Sequence, residues 1–117
     1  MFSYIKNFGF GTKTGIDLNG EATGILFNLD KVKDLELATT AFGQGISVTA
    51  IQQVSAVSAI INNGKLYTPF IVLQVGDKKI NKKLKKENII TNETSSHVRY
   101  ALESVVANGS GRNAYIE

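Results

Sequence analysis

The chain has 117 residues, the length of one small domain, and 43% of them are hydrophobic and 20% charged, which excludes a disordered or fibrous protein. It has no cysteine, so disulfides and thiolate-ligated metal sites are excluded as well. The net charge of +3 is small, and outside one lysine-rich segment at residues 78–86 the chain is slightly acidic, which argues against a general nucleic-acid-binding role.

The N-terminal segment begins with a helical pattern and continues as a glycine-rich loop. Apolar side chains at Phe2, Ile5 and Phe8 predict the last turns of a helix that ends at Gly9. Glycines at positions 9, 11, 15 and 20 exclude a regular helix and predict a loop with a short extended piece at residues 16–18. The N-terminal residues have no apolar stretch long enough for a signal peptide or a membrane span.

A short charged segment follows this loop. Asp30, Asp34 and Glu36 are interspersed with Lys31 and Lys33, an arrangement typical of a solvated helix start or loop. The carboxylates could also be interpreted as a pair for acid–base chemistry, but no other feature of the segment supports that interpretation.

The central segment predicts an apolar helix that begins at a capping box. Thr49 and Gln52 have the spacing in which the threonine hydroxyl accepts from the third backbone amide and the glutamine side chain reaches back. Apolar residues follow on several faces, and Asn62, Asn63 and Gly64 tolerate a left-handed helix end. A helix that is apolar nearly all round is normally buried, and so short a chain is expected to cover it only in part.

The segment after Pro69 predicts a β-hairpin with lysines on its outer face. A β-branched run at residues 70–75 leads to Gly76 and Asp77, and a second strand is predicted near residues 79–84. Residues 89–90 have the composition of a further short strand. Two interpretations of the lysines stay open: a solvated edge, or a basic surface that attracts anionic polymers such as teichoic acid, phospholipid headgroups or nucleic acid.

The last helix has the clearest amphipathic pattern of the chain. Its apolar residues recur at i, i+3, i+4, i+7 and i+8, and they are Val98, Ala101, Leu102, Val105 and Val106. Thr91 or Asn92 is the predicted N-cap, and Asn108 with Gly109 is the predicted end. The single histidine, His97, falls on the polar side of this stripe, and no metal site is expected there because no cysteine or acidic cluster accompanies it.

Four segments carry a further signal when they are taken in order. They are Y-I-K-N-F-G-F-G-T-K-T-G-I-D-L-N-G-E at residues 4–21, L-A-T-T-A-F-G-Q-G-I-S-V-T-A-I-Q at 37–52, I-N-N-G-K-L-Y-T-P at 61–69 and V-R-Y-A-L-E-S-V-V-A-N-G-S-G-R-N-A at 98–114. Together they resemble the class B penicillin-binding proteins, the peptidoglycan transpeptidases of cell division and sporulation. The chain departs from that pattern at Asn19 and Ala50, where the family often has proline, and at Asn63, where it often has glycine.

Two stretches match catalytic motifs of that family in the wrong context. The family uses a serine in S-x-x-K, a serine in S-x-N and a K-T-G on an edge strand. Ser3 to Lys6 matches the first motif near a helix end, whereas a nucleophilic serine should open a buried helix. Lys13 to Gly15 matches the third inside a loop that the family carries as structure. No S-x-N occurs, so no catalytic residue is expected in this chain.

The resemblance implies an α+β fold, a partial penicillin-binding-protein transpeptidase fold of the serine β-lactamase-like type, with helices and a β-hairpin. Residues 1–117 are expected to be a fragment of a single transpeptidase domain, with the true S-x-x-K and S-x-N before Met1 and the true K-T-G after Glu117. The parent protein would form an acyl-serine intermediate with a peptidoglycan stem peptide and would be trapped by β-lactams. No metal or organic cofactor is implied.

The same resemblance sets expectations for the setting of the chain. The parent would be anchored in the bacterial cell membrane by an N-terminal helix, with its catalytic domain outside the cytoplasm and no anchor in this chain. The isolated chain is expected to be inactive, and its expected partners are the rest of the transpeptidase domain or a second copy of itself. The alternative is a stand-alone basic module that binds anionic polymers through the lysine-rich hairpin.

Two further places are candidates for binding. The stretch from Gly43 to Gly45 could cradle a phosphate, but it lacks the spacing and the preceding strand of such loops, and the resemblance implies a tight structural loop, as it does for Thr39 and Thr40. Arg112 lies in a segment that leads toward the active-site strand in the family. The resemblance therefore implies that Arg112 lies near the substrate groove as a substrate-binding residue.

Overall fold

The computed structural model describes residues 1–27 and 32–116 of the chain. The elements in chain order are helix α1 (Phe2–Asn7), helix α2 (Asp34–Ala41), helix α3 (Ala50–Ile61), strands β1 (Leu66–Thr68), β2 (Gln74–Val75), β3 (Lys78–Lys79) and β4 (Lys83–Lys86), helix α4 (Asn92–Asn108), and a short 3-10 helix (Arg112–Ala114). The architecture is α+β, as the sequence predicts.

The helix that the capping box predicts is α3, and both predicted hydrogen bonds form. The backbone N–H of Gln52 donates to the Thr49 hydroxyl at 3.2 Å, and the backbone N–H of Thr49 donates to Gln52 Oε1 at 2.9 Å. The helix ends where Asn63 and Gly64 take φ values of +57° and +75°. These are the left-handed conformations that asparagine and glycine adopt at low cost, so the predicted helix end is confirmed.

The other two predicted helices also form. Helix α1 ends at Asn7 and is followed by Gly9 at a φ of +88°. Helix α4 is capped by Thr91, whose hydroxyl accepts from the backbone N–H of Thr94 at 3.1 Å, and it closes at Gly109.

The charged segment contains a helix start, one of the two alternatives that the sequence leaves open. Asp34 and Glu36 lie in the first turn of α2, and the Glu36 carboxylate accepts from the backbone N–H of Lys33. Carboxylates at this end of a helix are favoured because they face the positive end of the helix dipole. Asp30 and Lys31 lie outside the described residues.

The hairpin prediction is right at its turn and for the residues beside the turn, and it is wrong in the extent of its two strands. Gly76 and Asp77 form the turn, but only two residues on each side pair, β2 with β3. Strand β4 pairs instead with β1, in an antiparallel arrangement with a bulge after Leu66. The run at residues 70–73 does not form the predicted strand, because the backbone N–H groups of Ile71 and Val72 are bound by the carboxylate of Asp17.

The predicted strand at residues 89–90 is also wrong. Ile89 instead enters the small hydrophobic core, with its backbone N–H donating to the Gly64 carbonyl at 3.2 Å. The core joins Ala59 of α3, Leu66 of β1 and Ile89, and Phe8 packs against it. The strand composition of this segment therefore reflects burial rather than sheet pairing.

Helices α3 and α4 contact each other through a buried serine. Ser95 is fully buried, and its hydroxyl donates to the carbonyl of Ile60. Much of the apolar surface of both helices stays exposed, including Val54 at 61% and Val105 at 46%. The amphipathic pattern of α4 thus forms a helix whose stripe is only partly covered in this chain.

Candidate functional site

The first apparent catalytic motif lies on the surface. Ser3 and Lys6 are on α1, both side chains are exposed, and the helix has no buried residue. An activated nucleophile needs a base held against it in a shielded site, and α1 does not provide this. The stretch therefore has the spacing of S-x-x-K without the surroundings that the chemistry requires.

The second apparent motif, from Lys13 to Gly15, is held by a carboxylate of the chain. The backbone N–H and the hydroxyl of Thr14 both donate to Glu21 Oε1 at 2.6 Å, and the backbone N–H of Gly15 donates to Glu21 Oε2 at 3.1 Å. Thr14 is only 7% exposed. The groups that would have to meet a substrate are thus already engaged within the chain.

These hydrogen bonds stabilise the charged form of Glu21. Partial desolvation raises the pKa of this carboxyl, but the Thr14 hydroxyl, the two backbone N–H groups and the nearby Lys85 ammonium together hold the pKa below its ordinary value. Glu21 is therefore a carboxylate that fixes the loop at neutral pH.

The carbonyl groups of the same stretch are bound from the sheet. Lys85 Nζ, on β4, donates to the carbonyls of Lys13 at 2.7 Å and Thr14 at 3.1 Å. The next residue, Lys86, donates to Asn7 Oδ1 at 2.7 Å. Both lysines are exposed, in agreement with the predicted outer face, and their ammonium groups also join β4 to the N-terminal segment.

A second carboxylate binds the start of the hairpin. Asp17 accepts from the backbone N–H groups of Ile71 and Val72, both at 2.8 Å. The bond from Val72 and then the bond from Ile71 lower the pKa of Asp17. Sequence patterns give no signal for such a contact, because the partners are backbone groups more than fifty residues away.

Gln52 joins the N-terminal loop to α3. Its side chain is 1% exposed, and Nε2 donates to the carbonyls of Thr12 at 2.8 Å and Thr23 at 2.9 Å. The capping box predicts the contact of Gln52 with Thr49 but not these two bonds. We call residues 9–24 the anchored loop, because Gln52, Glu21, Asp17 and Lys85 all hold it in place.

Arg112 begins the short 3-10 helix after α4, and its side chain is exposed. The chain turns back there because the backbone N–H groups of Gly109 and Gly111 both donate to the carbonyl of Val105, at 3.0 and 3.1 Å. A shallow cavity of about 350 Å³ is bordered by Arg112, Tyr115 and the end of α4. Within the described residues the guanidinium has no hydrogen-bond acceptor.

A concavity lies along the exposed face of α3. It has a volume of about 530 Å³ and is lined by Ile51, Val54 and Ile61 of the helix and by Tyr67 and Phe70. This surface is a groove of mixed polar and apolar character without a titratable cluster. It presents a face on which other protein could pack, rather than a reaction site.

The remaining candidates are exposed or structural. His97 is exposed, and no group of three potential metal ligands comes together in the described ranges. Thr39 and Thr40 both donate their hydroxyls to the Glu36 carbonyl, at 3.1 and 2.6 Å. In the described part of the chain, no helix combines the length and apolar character that crossing a bilayer requires.

The chain matches a known protein family over almost its whole length. A family model described as the penicillin binding protein transpeptidase domain matches residues 1–116. The chain is 59% identical over 123 residues to Stage V sporulation protein D of Bacillus subtilis, covering 100% of this chain and 19% of that protein. It is 34% identical over 109 residues to peptidoglycan D,D-transpeptidase FtsI of Buchnera aphidicola, covering 93% of this chain and 18% of that protein.

Solved structures match the fold as well. Penicillin binding protein 3 of Mycobacterium tuberculosis superposes with a TM-score of 0.81 at 26% identity, over 98% of this chain and 28% of that chain. The transpeptidase domain of Burkholderia pseudomallei penicillin-binding protein 3 gives a TM-score of 0.81 at 28% identity, over 98% of this chain and 34% of that chain. The chain spans about a fifth of the length of the curated relatives it matches.

Proposed function

This chain belongs to the penicillin-binding protein transpeptidase domain family, and from that membership we propose that it is a structural part of a peptidoglycan D,D-transpeptidase. The observation that carries the proposal is the match of residues 1–116 to the family model. Residues 1–117 would be a piece of one transpeptidase domain, with the nucleophile supplied by residues outside them.

The proposed reaction is an acyl transfer through serine. The serine hydroxyl oxygen attacks the penultimate D-alanine carbonyl carbon of a stem peptide, and the terminal D-alanine leaves with its amine. An amine of a neighbouring stem peptide then attacks the acyl-serine ester, forms the cross-link and releases the serine. A β-lactam would acylate the same serine and remain attached. The parent protein is proposed to be membrane-anchored with this domain outside the cytoplasm.

The role proposed for this chain is to hold the fold together. Glu21 and Lys85 engage the backbone of the stretch from Lys13 to Gly15, which supports a structural rather than a catalytic role for its K-T-G sequence. The exposed face of α3 would pack against the rest of the domain.

Intact-mass measurement after β-lactam treatment tests this proposal. The parent protein should gain one acyl adduct on a serine outside residues 1–117, and the chain alone should gain none. The variant Ser3→Ala is the matched control and should leave the adduct of the parent unchanged. An adduct on Ser3 would refute the proposal.

Arg112 is proposed to contact substrate from the edge of the substrate groove of the parent enzyme. The support is its exposed guanidinium beside a cavity, with no acceptor among the described residues. In the parent enzyme, Arg112→Ala should raise KM for a stem-peptide substrate, and Arg112→Lys should restore part of the loss because the charge is kept. An unchanged KM in both variants would remove Arg112 from the substrate site.

A basic binding surface is the second candidate function. Lys78, Lys79, Lys82 and Lys83 are all exposed, while Lys85 and Lys86 donate to the N-terminal segment. Binding to a polyphosphate would weaken with added salt and with changes of Lys78, Lys79, Lys82 and Lys83 to alanine. An affinity that does not change with salt concentration, or no binding at low salt, would eliminate this candidate.

A further inference from the structure

The chain contains three asparagine–glycine pairs, Asn19–Gly20, Asn63–Gly64 and Asn108–Gly109. In such a pair the glycine amide nitrogen can lose its proton and attack the asparagine side-chain carbonyl carbon. Ammonia leaves and a five-membered succinimide ring remains, and water then opens the ring at either carbonyl. The products are aspartate, or isoaspartate with an extra backbone methylene. Glycine favours the reaction because no side chain obstructs the ring.

A hydrogen bond from the glycine N–H opposes this chemistry, because the nitrogen must leave its acceptor and lose its proton before it can attack. Two of the three pairs have such a bond. The Gly64 N–H donates to the Ala59 carbonyl at 2.8 Å, and the Gly109 N–H donates to the Val105 carbonyl at 3.0 Å. Gly64 is also buried, with Ile90 backbone atoms close to it. Reaction at either pair requires local opening of a helix end.

The pair at Asn19 and Gly20 has neither protection. Both residues are exposed, and no atom lies within 4 Å of the place where a side chain of Gly20 would be. Gly20 has a φ of +80°, and within the described residues its N–H has no acceptor. The attacking nitrogen and the asparagine amide are therefore both accessible in the folded chain.

We propose that Asn19 is a site of spontaneous deamidation in the folded protein, and that Asn63 and Asn108 are protected by their hydrogen-bonded glycines. The modification places a new carboxylate in the turn between Asp17 and Glu21, the two carboxylates that hold the anchored loop. Isoaspartate also lengthens the backbone there by one methylene, which shifts one carboxylate relative to the other. The inference does not depend on the transpeptidase function.

The test is incubation of the protein in mildly alkaline buffer, followed by peptide mass spectrometry that separates aspartate from isoaspartate. In the folded protein we expect the gain of one mass unit at Asn19 at least about tenfold faster than at Asn63 or Asn108, because the latter two require opening. The same protein in concentrated urea should react at all three pairs at similar rates.

Asn19→Gln is the matched control, because ring closure from glutamine would need a six-membered ring. Position 19 lies in an exposed turn, so the variant should remove the fast product and leave the slow reaction at Asn63 and Asn108 unchanged. The proposal would be overturned if, in the folded protein, Asn63 or Asn108 reacted as fast as Asn19.

Discussion

Gln52 is one side chain that connects α3 to two distant parts of the anchored loop. Replacing it by alanine leaves the carbonyls of Thr12 and Thr23 without their donor in a partly buried place. We expect Gln52→Ala to lower the free energy of unfolding by about 2 to 4 kcal/mol. Urea denaturation measures this. The adjacent Gln53 is exposed, so Gln53→Ala should change stability by at most about 0.5 kcal/mol, and equal losses would contradict the role of Gln52.

Asp17 and Glu21 make stability depend on acid pH. Hydrogen bonds lower both pKa values in the folded state, so each carboxylate contributes stability that is present above its unfolded pKa, about 3.9 for Asp and about 4.3 for Glu. That stability is lost as the pH falls through the folded values. The unfolding midpoint in urea, measured from pH 6 down to about pH 3, should therefore fall.

The variants Asp17→Asn and Glu21→Gln identify the groups responsible. Each should reduce the fall in midpoint between neutral and acid pH, because the amide cannot titrate. Asp77 lies exposed at the hairpin turn and accepts no hydrogen bond within the described residues, so Asp77→Asn is the control. A pH dependence that survives in the Asp17→Asn, Glu21→Gln double variant would show that other groups cause it.

At the scale of elements, Gly64 fixes the passage from α3 to β1. A Cβ at this position would lie 2.5 Å from the Ile90 carbonyl oxygen and 2.9 Å from the Ile90 nitrogen. At Gly76, which also has a positive φ, a Cβ would meet nothing within 4 Å. We expect Gly64→Ala to destabilise the protein by about 3 kcal/mol or more and Gly76→Ala by about 1 kcal/mol. Thermal unfolding of the two variants side by side checks this, and equal shifts would contradict it.

Elements with local signals are the ones that the sequence predicts well. The capping box at Thr49, the cap at Thr91 and the turn at Gly76 each depend on residues a few positions apart, and all three are confirmed. The predicted extent of the hairpin strands is wrong because it depends on contacts between distant segments. Nothing near Ile71 indicates that Asp17 binds its backbone, or that β4 pairs with β1 instead. The sequence predicts a strand at residues 89–90 because a short apolar run is typical both of a strand and of any other buried segment.

The candidate site shows the same division. Motif spacing alone finds Ser3 with Lys6 and Lys13 with Gly15, and it is their surroundings that support the proposed structural role. The lysine run gives a further example, because composition cannot separate the two lysines that donate to the N-terminal segment from the other four. Order of segments along the whole chain is more informative, and it identifies the family.

At the scale of the whole molecule, the chain leaves an apolar face of α3 uncovered. Val54 is 61% exposed and lines the groove beside Tyr67 and Phe70. A symmetric dimer through this face would bury two copies of Val54. Burial of each valine side chain contributes about 1.5 kcal/mol to the free energy of association. Val54→Lys should therefore weaken dimerisation of the chain by about 100-fold. Analytical ultracentrifugation measures the dimer dissociation constant. Gln53→Lys is the control, because Gln53 is an exposed polar residue next to Val54. Equal association of both variants would show that α3 is not the contact.

The bonds of the anchored loop also determine when it can form during synthesis. The carbonyls of Lys13 and Thr14 can accept from Lys85 only after that residue has been synthesised, 72 positions later than Lys13. Asn7, just before the loop, likewise depends on Lys86, 79 positions later. At about 5 to 20 residues per second, the ribosome exposes the loop roughly 4 to 14 s before its partner strand is made. Through that interval Thr14 can make its short-range hydrogen bonds with Glu21 and Ile16, but its carbonyl has no lysine donor. A nascent chain paused before β4 would therefore carry a protease-sensitive N-terminal segment, and release of the pause would make it resistant.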